Sequence, residues 1–471
     1  MPERKAAAER MSRVDTAWLR MDNESNLMMI VGVWLLAPPL DHARLVERVQ
    51  ERMLGFRRFR QKVVKDALGA LWVDDERFDI GRHVVRETLP RGRSRRAALQ
   101  ARVARLATTP LDHRHPLWQF HLVEDYESGR SALIARIHHC IADGIALIAV
   151  IMSLVDGGAP PPPGREAPPD GVPDDVLDAI ARPFAELTGT ALGLASEGLA
   201  KSVGLLATQP LGMARAGMQL VGDAAALLLM PDDSPTRLKG RPGRAKRVAW
   251  SKPLPLDEVK AVGKALGCSV NDVLLASVAG AIGGWLAEQG DDTAGKEIRA
   301  MVPVNLRPPE SAPQLGNRFG LAPLILPIGI ANPVERVYEV RARMSALKGS
   351  YQPLLAFAVL AVAGLLVKPA QDALLGLFAR KTTAVVTNLP GPGTPVRLCG
   401  STLEQVMFWV PQSGDIGVGV SILSYAGAVQ FGLITAEKLC PEPQAIIERF
   451  RPEFDRLLLL TLMLPWERPA G

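Results

Sequence analysis

The chain has 471 residues, 48% of them hydrophobic and 22% charged, which excludes a disordered protein and suggests about two or three domains. Lysine and arginine number 55 and aspartate and glutamate 49, and the net charge of +6 suits an anionic partner such as a phosphorylated cofactor or an acidic membrane surface. No finger, helix-turn-helix or RNA-binding signature accompanies this charge, so we predict no nucleic-acid partner. The four cysteines lie far apart and show neither a disulfide framework nor metal-ligand spacing.

The first half of the chain mixes strand and helix patterns. Residues 29–36 (MIVGVWLL) predict a strand, and 44–54 place apolar residues at helical spacing. Two further strands are predicted over 118–123 and 132–138. The opening residues, MPERKAAAERMSR, are polar and charged with no apolar segment after a basic start, so we predict no signal peptide.

A break in the pattern follows at residues 155–175, which are rich in proline, glycine and aspartate. Proline disrupts helix interiors and central strands, so this stretch is predicted to be a linker. We therefore divide the chain into an N-terminal half, 1–154, a proline-rich linker with connecting helices, 155–247, and a C-terminal half, 248–471.

The second half also mixes helices and strands. Helices are predicted over 256–266 and 271–288, strands over 298–304 and 384–388, and a hairpin over 416–425 and 428–435 that turns at Ala426 and Gly427. A final helix is predicted over 441–460, with Pro452 kinking or breaking it.

The longest apolar run is 353–367 (PLLAFAVLAVAGLLV). Its length falls short of the ~18–20 residues that span a bilayer, so we predict no transmembrane helix and a cytoplasmic protein. The run is interpreted as a buried core helix or, alternatively, as a surface that enters lipid or lines an acyl tunnel.

Residues 131–155 (SALIARIHHCIADGIALIAVIMSLV) carry the clearest chemical signal. A predicted strand ends at His138 and His139, and a short turn leads into an apolar helix. Neighbouring strand residues point to opposite faces, so one histidine is expected to face the chemistry while the other packs or orients. Asp143 is placed to cap the helix or to pair with a basic group, and Gly144 permits a tight turn or close packing.

A neutral imidazole can take the proton of a hydroxyl that attacks a thioester, and general-base catalysis of this kind contributes roughly 10²–10⁴-fold. No G-x-S-x-G elbow is present to indicate an acyl-enzyme. A metal site is not predicted, because adjacent histidines on a strand diverge. The residues alone leave a purely structural role for these histidines open.

The pattern His138-His139-x-x-x-Asp143-Gly144 resembles the HHxxxDG motif of the coenzyme A-dependent acyltransferase superfamily, which includes chloramphenicol acetyltransferases, carnitine acyltransferases and peptide-synthetase condensation domains. The surrounding sequence resembles the bacterial wax ester synthase/diacylglycerol acyltransferase family. The matching segments are MSRVDTAWLRMD at 11–22, PLW at 116–118, ND at 271–272, VPVNLRP at 302–308 with Gly316 and Asn317, TNLPGP at 387–392 and SYAG at 424–427. The chain departs from the family in NLMMIVGVW, where members often carry a Pro-Met-His-type segment, and this departure bears on substrate preference.

The resemblance implies an α/β fold of two chloramphenicol-acetyltransferase-like halves, each a mixed sheet flanked by helices, with the active site in a channel between them. It implies transfer of a fatty acyl group from acyl-CoA, as co-substrate, to diacylglycerol or a long-chain alcohol, with no tightly bound cofactor and no metal. It also implies a protein that works at the periphery of a membrane or on lipid inclusions.

The resemblance assigns roles residue by residue. His139 would be the general base, His138 a supporting residue and Asp143 structural. Asn271 looks like a helix cap from its position, whereas the resemblance implies that it steadies the oxyanion.

Pro116, Leu117 and Trp118 look like packing residues, whereas the resemblance places them at the acyl channel.

Two alternatives to this function stay open from the sequence. One rival function is another HHxxxDG enzyme of the condensation type. The other is a non-catalytic lipid-binding or lipid-droplet protein.

Overall fold

The computed structural model describes residues 8–66, 69–90, 94–127, 129–159, 223, 226–227, 230–306, 315–366 and 368–464. Most of the predicted linker and its connecting helices, 160–222, lies outside the described residues, and so do residues 307 and 308 of the VPVNLRP segment.

The described elements match the predicted mixture of strands and helices. The strands are β1 Glu9–Arg10, β2 Met29–Ala37, β3 Gln61–Asp66, β4 Gly69–Asp74, β5 Val84–Glu87, β6 Trp118–Glu127, β7 Arg130–His138, β8 Lys246–Trp250, β9 Leu254–Pro255, β10 Ile298–Asn305, β11 Phe319–Leu326, β12 Ala384–Pro390, β13 Arg397–Leu398, β14 Ser401–Trp409, β15 Val418–Tyr425 and β16 Ala428–Ala436. The α-helices are α1 Arg13–Arg20, α2 His42–Arg52, α3 Arg95–Ala107, α4 Gly144–Leu154, α5 Leu256–Ala265, α6 Val270–Glu288, α7 Pro333–Lys348, α8 Gln352–Leu365, α9 Lys368–Arg380 and α10 Pro443–Leu462. Short 3-10 helices lie at Met53–Gly55, Arg57–Arg60 and Ile80–Arg82.

The first large sheet has the order β13-β14-β2-β7-β6-β5. The β5–β6 pair is parallel and the other pairs are antiparallel. Every residue of β7 after Arg130 is buried. Both faces of this strand are therefore covered. This central strand brings His138 to the edge of the core.

The second large sheet has the order β11-β10-β12-β15-β16-β8, with β9 pairing to β16. It is also mixed, since β12 runs parallel to both β10 and β15 while the other pairs are antiparallel. The predicted hairpin forms as β15 and β16, and Ala426 and Gly427 adopt positive φ angles of 48° and 76° at its turn.

The two sheets share chain segments. Strand β14 pairs with β2, from Thr402 opposite Ala37 to Trp409 opposite Val31, so the first sheet is completed by residues from the predicted C-terminal half. Leu403, Met407 and Trp409 are buried in the first core. Two strands of the predicted C-terminal half, β13 and β14, thus belong to the first sheet. Strand pairing between distant segments leaves no local sequence signal.

Helix α8 corresponds to the apolar run 353–367. Most of its residues are buried, and it packs against α1 and β11. The core-helix interpretation is confirmed for the described residues, and the alternative of a surface that enters lipid or lines an acyl tunnel stays a prediction. Gly364 permits a close approach of the two helices, since a Cβ there would lie 1.8 Å from the carbonyl oxygen of Arg13, the first residue of α1.

Among the described residues, one helix by itself, α6, is long and apolar enough to cross a membrane, and 78% of its apolar window is buried inside the protein. It packs against α7 and α10 in the second core. Helix α10 continues through Pro452 without a break, contrary to one predicted outcome. Pro452 is exposed. The buried residues Ile446, Phe450 and Phe454 hold the helix segments before and after it against the core.

Candidate active site

The two histidines stand at the end of β7, where the first half meets the second. The backbone N–H of His139 donates to the carbonyl of Met28 (2.7 Å), and the carbonyl of His139 accepts from Nδ2 of Asn317 (2.7 Å). Met28 precedes β2 in the first half, and Asn317 precedes β11 in the second. The backbone of His139 is therefore held from both halves.

The His139 ring lies between aromatic side chains of both halves. It stacks on Trp18 of α1 with ring centroids 4.3 Å apart and an interplanar angle of 18°, and the ring of Phe319 is 5.5 Å away. The residue is only 4% exposed, and its Nδ1 has no hydrogen-bond partner among the described residues. An unpartnered buried nitrogen is uncommon in proteins, although Nε2 of the buried His83 and Nε2 of His121 share this property.

Burial lowers the pKa of His139 to about 4, although the negative charge of Asp143 works in the opposite direction. Removing an imidazole from water penalises its charged form. The ring is therefore neutral at pH 7, with a lone pair that can accept a proton.

His138 has a different set of neighbours, as expected for adjacent strand residues. Its Nδ1 accepts the backbone N–H of Cys140 (3.2 Å), so the ring proton resides on Nε2, which contacts Oδ2 of Asp22 at 3.3 Å. The ring of His113 lies edge-on at 6.4 Å. Both nitrogens of His138 are engaged within the protein, which fits a supporting role.

Asp143 joins the motif to the second half. Its Oδ1 accepts the N–H of Ala146 (2.9 Å) and caps α4, so the predicted cap is confirmed. Its Oδ2 accepts the backbone N–H of Arg318 (3.0 Å). The neighbouring Ala142 forms a parallel bridge with Gly316. Asp143 therefore fixes the turn after the histidines and the loop that carries Asn317.

Gly144 lies against the second half as well. A Cβ at this position would be 3.0 Å from Cδ1 of Leu389, in the TNLPGP segment. The predicted close packing is what the structure shows.

Asp15 and Asn317 complete the junction. Oδ1 of Asp15 accepts from both Nδ2 (2.7 Å) and the backbone N–H (3.3 Å) of Asn317. Asp15 and Trp18 are three residues apart on α1 and so share one face of the helix. Sequence reasoning noted these residues only as family marks and assigned them no role. The missing signal was spatial, because α1 is more than a hundred residues away from the histidines in sequence.

Asn271 does not cap α6, contrary to its positional prediction. Ser269 is the cap, and Asp272 closes a capping box with it. Oδ1 of Asn271 instead accepts Nδ2 of Asn388 (2.8 Å). No hydrogen bond links Asn271 with His139 in the described structure.

The PLW segment packs in the first core. Pro116, Leu117 and Trp118 are all buried. The carbonyl of Leu117 accepts the N–H of His138 (2.9 Å), and Trp118 stacks on His83 and donates its indole N–H to Phe59. These contacts give the segment a structural role, and its place at an acyl channel stays a prediction. No cluster of three or more potential metal-ligating side chains occurs within the described ranges.

Comparison with family models gives two matches. The model described as the wax ester synthase/diacylglycerol acyltransferase catalytic domain matches residues 11–274, and the WS/DGAT C-terminal domain model matches residues 315–458. Two probable diacylglycerol O-acyltransferases of Mycobacterium tuberculosis are each 27% identical to the chain. One aligns over 435 residues, 90% of both chains, and the other over 460 residues, 92% of this chain and 95% of the relative.

Solved structures share the fold. A wax ester synthase/diacylglycerol acyltransferase from Marinobacter aquaeolei VT8 superimposes with a TM-score of 0.67 at 20% identity, covering 97% of this chain and 100% of that one. The first condensation domain of the calcium-dependent antibiotic synthetase gives a TM-score of 0.59 at 14% identity, covering 97% of each chain. The predicted α/β fold of two halves with mixed sheets is thereby confirmed.

Replacing Asp143 tests its role in the junction. We expect Asp143→Ala to lower the free energy of unfolding by about 1 kcal/mol through the lost cap and by about 1–3 kcal/mol more through the lost acceptor for Arg318 N–H. Urea unfolding of the purified variant measures the sum. Asp41→Ala removes an N-cap on α2 without a contact to the second half and should cost only the cap. Equal losses in the two variants would contradict the joining role of Asp143.

Proposed function

Because the chain belongs to the wax ester synthase/diacylglycerol acyltransferase family and is an acyltransferase, we propose that it transfers a fatty acyl group from acyl-CoA to diacylglycerol, a long-chain alcohol or both, with His139 as general base. The observation that carries the proposal is the neutral, buried imidazole of His139, held from both halves at the point where they meet. His138 is not an equivalent candidate, since both its nitrogens are occupied.

The proposed reaction is a direct transfer. His139 takes the proton of the acceptor hydroxyl as its oxygen attacks the thioester carbonyl. The C–S bond then breaks, and protonated His139 returns its proton to the leaving thiolate, giving an ester and free coenzyme A. This sequence needs no acyl-enzyme, metal, redox group or tightly bound cofactor. Stacking against Trp18 limits rotation of the imidazole, so its lone pair keeps one direction.

For Asn271 we propose support of the oxyanion. Its Oδ1 is held by Asn388, which orients the amide and leaves its Nδ2 hydrogens without an acceptor among the described residues. The next residue, Leu389, approaches Gly144 and so connects this segment to the histidine turn. One preorganised donor of this kind contributes roughly 10²–10³-fold in turnover.

Replacement of His139 is the direct test of the function. We expect His139→Ala to release free thiol from palmitoyl-CoA about 10²–10⁴-fold more slowly than the parent, because the general base is lost. Turnover is measured with diacylglycerol and then hexadecanol as acceptor. His83→Ala is the matched control, since His83 is also buried and stacked on a tryptophan but lies outside the junction.

The outcomes separate the alternatives. Parent turnover that requires an alcohol, with loss only in His139→Ala, supports the acyltransfer and identifies the preferred acceptor. Parental turnover in His139→Ala would show that His139 is not the base. Lipid binding by both proteins without any thiol release would favour the non-catalytic lipid-binding protein.

The pH dependence of kcat/KM follows from the lowered pKa of His139. Only the neutral ring accepts a proton, so activity should stay level from pH 8 to about pH 5 and fall at lower pH as the ring is protonated. Unfolding exposes the ring and returns its pKa toward 6.5, so this residue lowers stability as the pH falls from about 6.5 to about 4. Acid-side kinetics with palmitoyl-CoA, corrected for unfolded protein by circular dichroism, measures the profile. A midpoint near pH 6.5 would contradict a buried base.

We also propose that the protein works at a lipid surface, which it contacts through the end of α10. Five of the six residues from 459 to 464 are exposed and apolar, with Leu459 at 61% and Met463 at 80%. Consecutive exposed apolar residues of this kind mark interaction sites. The proposed acceptor is water-insoluble, and Arg456 one turn earlier, which is 59% exposed and pairs with Glu453 at 3.4 Å, suits anionic headgroups.

Flotation with phosphatidylcholine/phosphatidylglycerol vesicles tests this contact. The double variant Leu459→Ser/Met463→Ser should reduce the bound fraction about tenfold or more, because each apolar side chain contributes about 1.5–3 kcal/mol when buried. Leu377→Ser, at a comparably exposed leucine on α9, is the control and should bind as the parent does. Unchanged flotation of the double variant would exclude this surface.

A further inference from the structure

One carboxylate contacts the supports of both histidines. Asp22 follows α1, and its Oδ1 accepts the backbone N–H of Met28 at 2.5 Å. Its Oδ2 lies 3.3 Å from Nε2 of His138. The carbonyl of Met28 in turn accepts the N–H of His139. Asp22 thus connects to His138 through its side chain and to His139 through Met28.

The contact with Asp22 selects one form of the His138 ring. Nδ1 of His138 must be unprotonated to accept the N–H of Cys140, so the proton on Nε2 needs an acceptor, and Asp22 supplies it. The carbonyl of His138 also accepts the N–H of Ile141, which closes the turn around His139. Fixing the tautomer of His138 therefore also fixes the hydrogen bond from Cys140 that holds this turn.

The loop that carries Asp22 is itself fixed at a second point. Oδ1 of Asn23 accepts the N–H groups of Ser25 and Asn26. The Asn26 side chain donates to the carbonyls of Gly414 and Ile416 and accepts from the buried ammonium of Lys246. Because the middle of the loop is tied to the second half, a lost contact at Asp22 cannot be restored by moving the loop as a whole.

We infer that Asp22 is a positioning residue, which fixes the tautomer of His138 and the backbone of His139 so that the base faces the reacting hydroxyl. The inference rests on the proposed function, since it assumes that His139 is the base. Asp22 touches no reacting atom in this role. Burial works to raise the pKa of Asp22, but the hydrogen bonds from His138 and Met28 outweigh it and keep the pKa below its usual value, so the carboxylate is ionised at neutral pH.

Asp22→Asn tests the inference with an isosteric change. An amide has one oxygen, so it can accept from Met28 or from His138 but not from both. Where its NH₂ faces His138, the ring must move its proton to Nδ1, which then opposes the N–H of Cys140. We expect kcat for thiol release to fall about 10–100-fold, the range for a misplaced catalytic group, with KM for palmitoyl-CoA unchanged within about twofold.

A spectroscopic signature accompanies the kinetics. The chain has seven histidines, so ¹⁵N-histidine labelling gives a small set of ring signals, and His138→Gln assigns those of His138. The parent should show His138 protonated on Nε2, and Asp22→Asn should shift this population toward Nδ1. Asp22→Glu retains the charge and should restore the parental tautomer and most of kcat.

Asp156→Asn is the matched control. Asp156 also accepts two backbone N–H groups, from Cys399 and Gly400, and pairs with a basic side chain, Arg48, but it does not contact the histidine turn. It should lose stability with parental kcat and parental histidine signals. The inference is overturned if Asp22→Asn, like this control, loses stability but keeps the parental kcat and the parental histidine signals.

The test also separates this inference from the proposed function. Parental activity in His139→Ala defeats the proposed function whatever Asp22→Asn does. An inactive His139→Ala together with a fully active Asp22→Asn leaves the function standing and removes the role of Asp22. If Asp22→Asn does not fold, Asp22→Glu carries the decision, because a large loss of kcat with an unchanged His138 tautomer would contradict positioning through that ring.

Discussion

The structure depends on a small set of polar contacts that join the two halves directly behind the histidines. Asp143 binds the backbone of Arg318, Asn317 binds the carbonyl of His139, and Asp15 holds Asn317. These groups are buried, so each would be costly without its partner. The relative position of the two halves at this junction is therefore fixed by these hydrogen bonds. The junction places a neutral, buried imidazole between the two halves.

The same junction explains why the site combines rigidity with a weakly solvated base. Trp18 and Phe319 exclude water from His139, and that exclusion lowers its pKa. A lower pKa makes the ring a weaker proton acceptor in water. It also keeps the ring unprotonated over the whole physiological range. Within the proposed mechanism, the low dielectric strengthens the electrostatic interactions of the charges that develop during acyl transfer.

Local patterns in the sequence predicted most elements, because apolar periodicity and turn residues report local structure. They located β7, the cap at Asp143 and the hairpin after Tyr425. The local patterns did not predict which of several residues caps a helix, whether a proline breaks a helix, or which residues from distant parts of the chain contact each other. Ser269, two residues before Asn271, took the cap of α6, and Pro452 was accommodated in an exposed position. The contacts of Asp22 with His138, and of β14 with β2, join residues more than a hundred positions apart and could be seen only in the folded chain.

The passage of β14 into the first sheet has a consequence for how the protein is made. Residues 29–138 leave the ribosome long before residue 401 is synthesised. The edge of β2 that pairs with β14 is therefore unpaired during synthesis of the intervening chain. An unpaired strand edge is a template for association with other chains. Fragments that end before β14 should therefore aggregate, and the first half reaches its final form only when translation is nearly complete.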